Sequence, residues 1–139
     1  MKLLARLNRL PGWVEMALLT TALIVVFVGS SIPPQDFPDL RIFDYDKLLH
    51  LAEYTCFGLA LWVAARRRWV PRLRAWTESP LLALLLGVVL PGALWGASDE
   101  LHQLVVGRDC NIWDWSADLC GLLLAVLLAR LIERSGAKG

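Results

Sequence analysis

From Met16 to Ile32 the chain runs without one charged side chain, and no other feature of the sequence limits its fold as much. A helix over that run is long enough to cross a hydrocarbon core of about 30 Å. Pro33 and Pro34 end it. Three later segments have nearly the same character. One runs from about Tyr45 to Ala65, with Asp46, Lys47, His50 and Glu53 confined to its first half. Another starts at Pro80 and reaches about Ala97, with Pro91 inside, where a kink is expected. The last runs from about Ile112 to Ile132, with Asp114 and Asp118 near its start. Four such segments predict an all-α fold, a polytopic four-helix transmembrane bundle. Composition agrees: with 57% hydrophobic and 19% charged residues, a soluble chain of 139 residues would be left with an adhesive surface. No internal repeat, heptad pattern or low-complexity linker divides the chain, so residues 1–139 read as one domain.

A formal net charge of +1 supplies no basic field for nucleic acid, and none is expected as a partner. Cys56, Cys110 and Cys120 are odd in number and form no CxxC pair, so neither a disulfide framework nor a thiolate zinc site is indicated. The cations are distributed very unevenly. Eleven of the 14 lie in the N-terminal stretch, the loop from Arg66 to Arg74 and the C-terminal stretch, the last including Lys138, leaving Arg41, Lys47 and Arg108 for the other side. The positive-inside bias then places both termini in the cytoplasm. The acids distribute oppositely, with only Glu15, Glu78 and Glu133 on the basic side. An alternative for the first segment is a cleaved leader ending near Gly29-Ser30-Ser31. The seven tryptophans lie mostly near segment ends and read as interfacial anchors.

On the second segment Asp46, His50, Glu53 and Tyr54 stand at i, i+4, i+7 and i+8, and Lys47 lies about 100° round from Asp46. All five share one broad helical face. Ionisable groups at membrane depth cost roughly 2.5–3.5 kcal/mol each, so His50 and Glu53 are expected to face the bundle interior or a wet cavity. The third segment closes with Ser98-Asp99-Glu100-Leu101-His102-Gln103, in which Asp99, His102 and Gln103 share a face and Glu100 stands three residues before Gln103. A turn-like run from Gly107 through Arg108 leads into the fourth segment, where Asp114, Asp118, Gly121 and Ala125 form one stripe, acidic above and small below. Gly121 and Ala125 predict a close helix contact.

These residues carry a family resemblance. Ser31-Ile32-Pro33, followed by Asp46-Lys47-Leu48-Leu49-His50-Leu51-Ala52-Glu53-Tyr54 and Gly58, resembles the first signature of the VanZ-like membrane proteins. Asp99-Glu100-Leu101-His102-Gln103, then Gly107-Arg108, Asp114 and Asp118-Leu119-Cys120-Gly121, resembles the second. The resemblance runs over nearly the whole chain in the family's order and implies four spans. One departure is Asp118, where many members carry Asn. The family is named for an accessory protein of teicoplanin resistance, and most members have no assigned reaction.

Asp46, Lys47, His50, Glu53, Tyr54, Glu100, Gln103, Arg108, Asp114 and Asp118 are therefore expected at the outer ends of three helices. Of these, Lys47, His50, Glu53, Glu100, Gln103, Arg108 and Asp114 are expected to line one outward-facing cavity. Acids combined with a Lys and an Arg make a pocket of mixed charge that need not hold a metal, so no metal or cofactor is assigned. In the leading reading, Lys47 and Arg108 hold the anionic head group of an envelope lipid or lipid-linked precursor. The same atoms also permit a metal-assisted hydrolase or transferase acting on a lipid phosphate, or a small proton-coupled lipid transporter. Against an enzyme stands the lack of an HExxH, a Gly-rich phosphate loop or a serine-nucleophile motif.

Overall fold

A computed structural model describes residues 2–33 and 46–137. Pro34, Arg41, Tyr45 and Lys138, on which expectations above partly rest, lie outside the described residues. Helices α1 (Lys2–Asn8), α2 (Gly12–Ser30), α3 (Asp46–Ala65) and α4 (Val70–Thr77) are followed by α5 (Pro80–Leu84), which passes through a π-helical turn, Leu85–Val89, into α6 (Leu90–Val105), and then by α7 (Ile112–Ala137). Four stretches, Gly12–Ser30, Asp46–Ala65, Pro80–Val105 and Ile112–Gly136, are long and apolar enough to cross a membrane. No strand occurs among the described residues.

The helix ends follow local chemistry. Ser79 caps α5 by accepting from the N–H of Leu82 at 3.2 Å, with Pro80 in the first turn. Asn111 caps α7 by accepting from the N–H of Trp113 at 3.0 Å. Pro91 does not break its helix. Lacking an N–H, it leaves the carbonyl of Gly87 without the usual partner, and the Trp69 indole N–H supplies one at 2.9 Å. The widened π turn just before Pro91 absorbs the misfit, with the Leu90 N–H reaching back to the Leu85 carbonyl. The span therefore continues beyond Ala97 to Val105.

The stripe on α7 is the spine of the bundle, and α3 packs more extensively on α7 than on any other helix. A Cβ on Gly121 would stand 2.6 Å from the Leu51 carbonyl oxygen and 2.9 Å from the Thr55 amide nitrogen, and one on Gly58 would stand 2.7 Å from the Ala125 Cβ. The small residues let the two backbones approach closely, as their spacing predicts. Tyr54, Phe57, Leu61, Trp62, Leu84, Val88, Leu122 and Val126 fill the surrounding core. Trp62 belongs to this core, with its N–H directed at Glu133 3.3 Å away, so it is not the interfacial anchor expected. Trp13, Trp76 and Trp113 are the strongly exposed tryptophans. On α2 only Glu15, Leu19, Val26 and Ser30 are buried, while Ile24, Val25, Phe27 and Val28 face outward. Such a face suits hydrocarbon rather than water.

At the basic end Glu15, 1% exposed, receives Arg66 and Arg68 at 2.8 Å each and Arg67 at 3.4 Å. The arginines also donate to main-chain carbonyls of Leu10 and Gly12, and Arg66 to the side chain of Asn8. Burial pulls the Arg66 guanidinium below its ordinary pKa, and Glu15 opposes that shift. Arg74 pairs with Glu133, and Leu4 packs against Gly136. The N-terminal helix, the arginine-rich loop and the end of α7 thus gather at one end of the bundle.

Candidate functional site

At the opposite end α3 divides its polar residues between two neighbours. With about 100° per residue, Glu53 and Asp46 fall at one edge of the face, Tyr54 and Lys47 at the other, and His50 between them. The first edge meets a cavity of 650 Å³ whose walls come largely from α2 and α3. Its apolar part is lined by residues such as Leu18, Ala22, Val25, Leu49 and Phe57, and its polar part by Asp46, His50, Glu53, Asp99, Gln103 and Arg108. The second edge meets α7. There the Lys47 ammonium pairs with Asp114, and with Asp46 at 3.2 Å, while His50 Nδ1 lies 2.9 Å from an Asp118 carboxylate oxygen.

The seven residues expected to line one cavity are therefore not all in its lining. Asp46, His50, Glu53, Gln103 and Arg108 line it. Lys47, Tyr54, Glu100, Asp114 and Asp118 are absent from its lining and belong to the layer where α3 meets α6 and α7. The physical reason is the width of the α3 face, which spans about 120° and so contacts two helix neighbours. His50 is common to both groups.

Arg108 owes its place to the residue before it. Gly107 has φ +78°, a left-handed conformation that costs glycine little. It ends α6 in a Schellman arrangement, with the Arg108 N–H donating to the Gln103 carbonyl at 2.9 Å and the Gly107 N–H to that of Leu104 at 3.4 Å. Glu100 ties the following loop to α6 by accepting from the Asn111 N–H at 2.8 Å. His102 turns instead to α2, with Nε2 2.9 Å from the Ser31 hydroxyl and its ring stacked on Phe27 at 4.9 Å. Sequence spacing suggested Asp99 and His102 as neighbours on a face, but gave no sign that Ser31 and Phe27 would receive the imidazole, because that contact joins separate spans.

Three buried polar atoms in the inner layer have no hydrogen-bond partner: the Tyr54 hydroxyl, Glu100 Oε1 and Asp118 Oδ2. Tyr54 OH and Asp118 Oδ2 each lie 3.3 Å from the point a Cβ on Gly96 would take. Gly96 thus leaves room at a spot on which both oxygens converge. The three cysteines are free and exposed.

Four apolar helices with a polar layer set into one end define a multi-pass membrane protein. The sequence matches the VanZ/LLP1 family over residues 7–133, and the chain belongs to that family. Neither the curated proteins nor the solved structures give a match.

Proposed function

We propose that this protein holds an anionic envelope lipid, or a lipid-linked envelope precursor, in the cavity between α2 and α3. The observation that carries the reading is the polarity gradient of that cavity, apolar along most of its length and polar at one end, where Arg108 stands among carboxylates. Such a shape accommodates an acyl or polyprenyl chain along α2 while a planar guanidinium engages phosphate at the head. The asymmetric cations orient the polar end outward from a bacterial cytoplasmic membrane, with both termini inside. That location also fits the glycopeptide-resistance association of the family resemblance, since those antibiotics act at the outer surface.

The test measures lipid retained by purified protein by mass spectrometry. Arg108→Lys is expected to reduce retention about tenfold, because an ammonium cannot reproduce bidentate contact. Ala22→Phe, which fills the apolar part without touching the head group, is expected to do the same, whereas Asp114→Asn has the mildest effect, since an amide keeps most hydrogen bonds. Unchanged retention in both Arg108→Lys and Ala22→Phe would exclude the cavity as the binding place. Orientation has its own check. Exposed Cys110 should react with an impermeant thiol reagent applied from outside, and a cysteine at Arg72, in a chain lacking the native thiols, should not. Labelling at position 72 would reverse the topology.

A further inference from the structure

Apart from the shared His50 the inner polar layer lies outside the cavity lining, and all of it but Lys47 is buried. His50, Glu100 and Asp118 come from α3, α6 and α7 and are 8%, 4% and 1% exposed. One donor atom from each lies within 4.8 Å of the other two. Unpartnered buried oxygens are costly, and here Glu100 Oε1, Asp118 Oδ2 and the Tyr54 hydroxyl are left so together. Charge points the same way. In the cavity lining and the inner layer, Asp46, Glu53, Asp99, Glu100, Asp114 and Asp118 stand against the cations Lys47 and Arg108. An excess of carboxylates at membrane depth calls for a positive partner.

We propose that His50, Glu100 and Asp118 bind a divalent first-row cation of the Zn²⁺ or Mn²⁺ class, with the Tyr54 hydroxyl facing the same space. One imidazole with two carboxylates is a mixed nitrogen and oxygen set, which suits these ions better than Ca²⁺ or Mg²⁺, whose preferred ligands are all oxygen. Donors at about 2.0–2.2 Å from one tetrahedral ion stand about 3.3–3.6 Å apart, so atoms within 4.8 Å of one another close on it with side-chain shifts under about 1 Å each. A second trio, Asp46, His50 and Asp114, has similar spacing, but the Lys47 ammonium already occupies Asp114 and Asp46. In the inner trio the contact already made is internal, His50 Nδ1 to Asp118 Oδ1 at 2.9 Å, and Asp118 Oδ2 and Glu100 Oε1 remain without a partner. An ion there joins α3, α6 and α7 and orients His50, which also forms part of the cavity wall, so metal content sets the polar wall of the lipid site.

The experiment uses the full chain in nanodiscs, stripped with chelator and titrated with ZnCl₂, MnCl₂ and MgCl₂. One Zn²⁺ or Mn²⁺ per chain is expected, bound more tightly than Mg²⁺, and raising the thermal transition. His50→Gln, Glu100→Gln and Asp118→Asn should each weaken binding on the order of tenfold or more, while Asp109→Asn, in the exposed loop, should leave it unchanged. Co²⁺ bound to the parent protein should shift the ring-proton resonances of one histidine paramagnetically, a readout available even if a variant fails to fold. Absence of stoichiometric binding in folded parent, or a Co²⁺ complex with no shifted imidazole resonance, overturns the proposal. So does binding lost in Asp114→Asn but kept in Asp118→Asn, which would place the ion in the outer trio. Lipid retention by metal-loaded Ala22→Phe, which fills the cavity away from the trio, tests the lipid reading separately.

Discussion

Glu15→Ala should lower the stability of the bundle by about 3–5 kcal/mol, the range for removing one partner of a buried ion pair. Glu15 is 1% exposed, and both carboxylate oxygens are engaged at 2.8 Å, one by Arg66 and the other by Arg68. Deleting it leaves the guanidinium of Arg66, whose side chain is only 5% exposed, without its anion. Arg67 and Arg68 are more open to solvent, and their share of the loss is small. The effect falls mainly on α2, which buries few residues and is held at this end by the cluster. Thermal unfolding in nanodiscs measures the loss, and a parallel Glu15→Ala, Arg66→Met double variant should recover much of it, because the stranded cation is then gone. A single variant within about 1 kcal/mol of the parent would show that the cluster does not anchor α2.

Gly121→Leu should cost about 3 kcal/mol or more and at the same time dismantle the inner polar layer. The atoms a Cβ would meet, the Leu51 oxygen at 2.6 Å and the Thr55 nitrogen at 2.9 Å, are main chain and cannot rotate away. Relief therefore requires α3 and α7 to separate, and the same movement parts Lys47 from Asp114 and His50 from Asp118. Gly92→Ala is the informative comparison. Its Cβ meets the Leu122 methyl groups at 2.6 and 2.9 Å, side-chain atoms rather than main chain, and a helix gains up to about 1 kcal/mol from Ala over Gly. Its destabilisation should be clearly smaller. Equal losses at the two positions would mean that the α3–α7 approach is less tight than the backbone contacts indicate.

Much of this architecture can be read along the chain because lipid solvent makes hydropathy decisive. The four spans follow from apolar length alone, and the close contact at Gly121 and Ala125 follows from their spacing. Boundaries moved where the sequence carried a second signal: α2 begins at Gly12, before Glu15, because arginines 51 to 53 residues further along the chain neutralise that acid inside the fold. Likewise α7 continues past Ile132 to Ala137, where Arg74 and Leu4 supply contacts at its end.

The sequence by itself determined which side chains could not face lipid, because the cost of an ionisable group in hydrocarbon depends only on that group and its depth. His50 and Glu53 are inward for that reason. Only the tertiary structure decided which partner each one meets. Helical phase spreads the α3 polar residues over about 120°, and the positions of α2 and α7 split that arc, sending Glu53 to the cavity and Lys47 to Asp114. The same holds for Arg66 to Arg68, legible as a topological charge yet bound to Glu15, and for Trp69, whose N–H satisfies the carbonyl that Pro91 left open. Pairing energies depend on distances between separate helices, and no local pattern encodes those distances.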